Sequence, residues 1–136
     1  MTMTRALCGT LLLMLTLGGA VVPVAGEIRD DLRQFMRQKL ELSKGALEGL
    51  TLEDYALIAK NARELKALSM DAQWQVSPNA NYLRLSNDFQ TQTDDLARKA
   101  QARDLDGAAR AYVQMTLSCV KCHSLVREQK LISLTR

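Results

Sequence analysis

Histidine occurs once in this 136-residue chain, cysteine three times and proline twice, and only six residues are aromatic. Each scarcity removes a class of answers. The single histidine completes no nucleophile–base pair, and no paired carboxylates or glycine-rich phosphate loop accompany it, so no enzyme is expected. Pro78 is the sole proline beyond residue 26, and β-branched residues do not cluster, which points to helices rather than strands. So few aromatics suit a helical core packed with Leu and Ala. The 18 basic and 15 acidic side chains are interspersed as on a solvated surface. No basic stripe of the kind that binds nucleic acid is present. Internal repeats and low-complexity tracts are absent.

Long hydrophobic runs are also lacking, apart from Leu7 to Leu17, which is too short to span a bilayer comfortably. Arg5 precedes this run, and small residues from Gly18, Gly19 and Ala20 follow it as far as Gly26. That is the layout of a secretory signal peptide, so residues 1–26 are expected to be a leader and residues 27–136 the mature domain. Cleavage after Gly26, with Val24 at the −3 position, fits, and so does cleavage after Ala20. The competing reading is an uncleaved membrane anchor; a cleaved leader leaves no stable anchor and an exported or periplasmic protein. Cleavage also removes Cys8 and Arg5. Cys119 and Cys122 are then the only thiols, with none left for a structural disulfide, and 17 bases face 15 acids.

From Glu27 onward the pattern is helical in four stretches. The first, about Glu27 to Glu48, repeats Ile28, Leu32, Phe35, Met36, Leu40 and Leu47 at three- and four-residue steps, with Gly49 as its stop. Glu27, Asp30 and Asp31 favour the positive end of its dipole. Thr51 is the expected N-cap of the second, whose apolar face is Tyr55, Ile58, Ala59, Ala62, Leu65 and Leu68. The third, about Asn81 to Arg103, has a seam of Tyr82, Leu85, Phe89, Leu96 and Ala100, interrupted by Gln92 and Thr93. Asp104 or Asp106 caps the fourth, in which Leu105, Ala108, Ala109, Tyr112, Met115, Thr116, Cys119, Cys122, His123 and Val126 keep helical spacing. Four helices of this length with short connections predict an all-α antiparallel four-helix bundle with a cofactor between facing helices.

The cofactor is named by Cys119-Val120-Lys121-Cys122-His123. Two thiols and an imidazole at this spacing form the attachment signature of a c-type haem. Each sulfur forms a thioether with one vinyl group, and the adjacent imidazole reaches the iron from one side. The run uses the only histidine and both remaining cysteines. A dithiol redox site would normally accompany a βαβ pattern, which is missing, and a structural zinc site takes four ligands where this motif offers three. On a helix Cys119 and His123 share one face with Cys122 beside them.

Around that motif the chain resembles class II cytochromes c, the cytochrome c′ and cytochrome c-556 group, which carry Cys-x-x-Cys-His near the C-terminus of a four-helix bundle. Cys119 to Arg127 resembles the family's C-terminal block, and Asp104-Leu105-Asp106 its acidic turn into the last helix. Lys60 to Ser69 followed by Trp74 looks like the second helix and the tryptophan after it. Arg33-Gln34-Phe35-Met36 resembles the segment that faces the haem. Together these cover nearly all of residues 27–130. Val126 departs from the pattern, which usually has an aromatic residue there, and implies altered packing beside the proximal histidine.

The resemblance implies one covalent haem c on Cys119 and Cys122, with His123 as proximal axial ligand. It implies Met36 as the sixth ligand, as in the c-556 type, or an open iron, as in c′. Position alone also suits Met36 as core filler. Met70, near a helix end, and Met115, on the motif's own helix, are poorer candidates. Arg33, Arg37 and Lys39 either pair with a haem propionate or solvate the helix face. Arg127 tunes the proximal side or complements the helix C-terminus. Phe35, Tyr55, Trp74, Phe89 and Tyr112 are expected in the core. The expected function is a monohaem cytochrome carrying single electrons between redox partner proteins. The alternatives are a five-coordinate haem protein binding NO or CO and, without haem, a thiol-redox protein. Family members often dimerise through their first two helices, which makes a homodimer one expected assembly.

Overall fold

The computed structural model describes residues 25–71 and 77–134, with side-chain surroundings for 32–71 and 77–129. Residues 1–24, which hold most of the expected leader, the side chain of Ile28 and Trp74 lie outside the described residues. Four helices follow one another: α1 (Ala25–Thr51), α2 (Tyr55–Ser69), α3 (Ala80–Gln101) and α4 (Leu105–Leu134). The described residues contain no strand. The helices pack against each other in an arrangement consistent with a four-helix bundle. Each packs on its neighbour in sequence, whereas α1 and α4 meet much less closely. That looser seam becomes the site.

Side chains close the helix ends. Asp54, not Thr51, caps α2, its Oδ1 accepting from the Leu57 amide at 2.9 Å. Thr51 instead ends α1, its hydroxyl donating to the Glu48 carbonyl. Asn79 accepts from the amides of Asn81 and Tyr82 to start α3. Asp104 caps α4 by accepting from the Gly107 amide at 2.8 Å, and Lys99 also donates to it. These bonds satisfy amides that a helix N-terminus otherwise leaves without partners.

Gly49 is not the stop expected for α1. The helix runs through it and ends at Thr51, with Glu53 in the left-handed region (φ 55°) making the turn. Gly49 serves packing: a Cβ there would lie 2.8 Å from Ile58 Cγ1 and 2.9 Å from the Ile58 amide nitrogen. The missing side chain lets α1 and α2 cross closely.

The core follows the expected faces of α2 and α3, with Ile58, Ala59, Ala62, Leu65, Tyr82, Leu85, Phe89, Leu96 and Ala100 all buried. Thr93 is fully buried within the α3 seam because its hydroxyl donates to the Gln90 carbonyl, so no polar group is stranded. On α4, Ala108, Ala111 and Met115 are buried, while Ala109 faces solvent.

The α1 face is rotated from the expected one. Leu40 and Leu47 are 53% and 47% exposed, and the inward line is Leu32, Phe35, Lys39, Leu42, Ala46 and Gly49. Its steps of three and four hold a straight seam, and Leu40 and Leu47 each stand one residue beyond it.

Candidate functional site

A cavity of about 540 Å³ lies between α1 and α4. From α4, Met115, Ser118, Cys119, Cys122, His123 and Val126 line one wall; from α1, Leu32, Met36, Lys39, Leu40 and Ser43 line the other. Leu65 of α2 with Tyr82 and Phe89 of α3 complete it. The volume falls within the roughly 300–1,000 Å³ of small-molecule and cofactor sites, and the lining is predominantly apolar. Helix hydroxyls keep it so: Ser118 donates to the Gln114 carbonyl at 3.1 Å and Thr116 to the Tyr112 carbonyl at 2.9 Å. The Ser43 and Tyr112 hydroxyls, 3.3 Å apart, share a hydrogen bond that ties α1 to α4.

Cys119, Cys122 and His123 reach the cavity together because one helical turn separates the first and last, with Cys122 between them. Cys119 is half-buried and Cys122 buried, and both are free thiols. Burial pushes both thiols up from their ordinary value, with the nearby Lys39 charge opposing it. At neutral pH they are thiols rather than thiolates, the reverse of the depressed values that activate dithiol redox sites. His123 is exposed and lines the cavity from its α4 side. No group of three or more His, Cys, Asp or Glu side chains able to hold a metal ion occurs among the described residues.

Met36 is half-buried on the α1 wall and packs against the main core cluster. Met70 is 65% exposed beyond α2, far from this role. Met115 is fully buried on α4, on the same wall as the motif. Val126 packs with Leu125 against Tyr82, Leu85 and Cys122.

Arg33 and Arg37 are exposed residues of the cavity's α1 side. Lys39 differs from both. It is 7% exposed, with its Nζ 4.0 Å from the centre of the Phe89 ring. Burial lowers its pKa to about 7 against the pull of Cys119 and Cys122, which raise it. Lys39, Cys119 and Cys122 line the same cavity. The sequence pattern placed Lys39 on a haem propionate or on a solvated helix face; the signal for a buried position was the line from Leu32 to Gly49, in which Lys39 falls on a core step.

No family model matches this chain, and neither the curated proteins nor the solved structures contain a match to it. No described helix is long and apolar enough to cross a membrane.

Proposed function

We propose that this protein is an exported monohaem c-type cytochrome of the class II kind that carries single electrons between redox partners. The observation that carries the reading is the apolar cavity with Cys119, Cys122 and His123 on one wall and Met36 on the facing wall. The residues present fit the group. Two thiols at i and i+3 match two vinyl substituents, an imidazole lies one turn along, and an apolar slot of about 540 Å³ receives the macrocycle. When bound, haem supplies one-electron chemistry between ferric and ferrous iron.

Everything else is done by the chain. Cys119 and Cys122 tether one edge, so the cofactor stays in place through each redox cycle. His123 and Met36 would offer one imidazole nitrogen and one thioether sulfur from opposite helices, a donor pair that raises the reduction potential. Leu32, Leu65, Phe89 and Met115 exclude water and lower the local dielectric. Arg33 and Arg37, exposed on the α1 side of the cavity, would hold propionates by charge-assisted hydrogen bonds.

Absorption spectra of the purified holoprotein test this reading. Low-spin ferric iron with a sulfur-to-iron charge-transfer band, and slow uptake of carbon monoxide when reduced, are expected. A high-spin ferric spectrum with rapid uptake of the gas would replace electron transfer with gas binding at an open iron.

A further inference from the structure

The α1 wall carries a second donor to the same cavity. Lys39 stands three residues after Met36, and this spacing sets both side chains on one helix face. Both line the cavity. Long lysine side chains usually run along the apolar surface and release the charged end into water. Lys39 does the opposite: its amine is buried over the Phe89 ring.

We infer that Lys39 is a second distal ligand of the haem iron, whose amine takes the sixth position whenever Met36 does not hold it. The inference rests on the haem reading above. The exchange balances without an oxidant: the thioether–iron bond breaks, the amine lone pair forms a nitrogen–iron bond, and the ammonium proton leaves to solvent. No electron moves. An amine is the harder donor and suits ferric iron, whereas a thioether is softer and suits ferrous iron. The amine is therefore a competent ligand of ferric iron, the state in which the exchange is read.

The surroundings of Lys39 support a neutral amine. Arg33 and Arg37 on its own helix, Tyr82 from α3, and Cys119, Cys122 and His123 from α4 are the titratable and charged groups around the cavity; α2 contributes Leu65. Burial already brings the pKa to about 7, and the groups that raise it are the two thiols.

The experiment uses full-length holoprotein at pH 8, with absorption and electron paramagnetic resonance spectra of ferric wild type, Lys39→Ala, Met36→Ala and Met36→Ala/Lys39→Ala. Met36→Ala/Lys39→Leu repeats the double variant with the volume retained. Haem-stained denaturing gels check equal loading. Met36→Ala is expected to lose the sulfur-to-iron band yet stay low-spin, and both double variants to become high-spin. A high-spin Met36→Ala would overturn the inference, and so would low-spin double variants. The haem reading of Met36 is judged separately, by the charge-transfer band in wild type. Were that band missing, Lys39 would be judged by whether Lys39→Ala alone turns the iron high-spin.

Discussion

Lys39 and Leu40 are adjacent residues in exchanged environments: the lysine is 7% exposed and the leucine 53%. The cost of that arrangement is visible in proton linkage. The folded pKa near 7 lies below the ordinary 10.5, so between those pH values the unfolded chain holds a proton that the folded chain has shed. Stability therefore rises with pH across that window, by at most roughly 1.4 kcal/mol per unit. For the thiol form of the chain, urea unfolding should show this slope in wild type. Lys39→Leu should flatten it and be the more stable protein at pH 7. An equal slope in both would remove Lys39 as its source. The inward position was legible as a step of three and four, but the leucine beside it drew the apolar face one residue too far. Charge on one side chain masked the phase of the helix. The thiols and the imidazole were legible because their chemistry is scarce in the chain, and Met36 only through the family resemblance; that they line one cavity is a property of helix packing that spacing on one helix cannot supply.

At the scale of the helices, the ends and the crossings carry the information. Asp54→Ala removes the acceptor for the Leu57 amide, and a lost N-cap costs about 0.5–2 kcal/mol, measurable as a shift of the urea midpoint at unchanged slope. Thr51→Ala should cost less, because that hydroxyl only returns to the Glu48 carbonyl of its own helix. Thr51 was the expected cap, and Asp54 takes the role because α1 runs on to Thr51. Gly49 decided that: its need for close approach to Ile58 outweighs its tendency to stop a helix. Gly49→Val should destabilise the protein by about 1–3 kcal/mol through overpacking of the α1–α2 crossing. The faces of α2 and α3 were the most readable, since an uncharged apolar seam has one solution. Thr93 fits that seam because a hydroxyl bonded to the preceding turn costs little in a core.

For the molecule as a whole, the α1–α4 seam is the least closely packed of the neighbouring helix pairs, and it is where the cavity opens. Regions with few buried contacts open at low free energy, so amides of α1 and α4 flanking the cavity should exchange hydrogen faster than those of the α2–α3 pair. Haem attachment should slow exchange at α1 and α4 more than at α2 and α3, as read by mass spectrometry of peptides from the two forms. Uniform slowing across all four helices would place the cofactor's effect elsewhere. The covalent haem itself is tested most directly by the intact mass of the protein produced in a host that attaches haem to exported proteins. One added haem, retained after denaturation, with no titratable thiol at Cys119 or Cys122, is the expected result. An unmodified mass with two free thiols, in a host that matures a control c-type cytochrome, would contradict it.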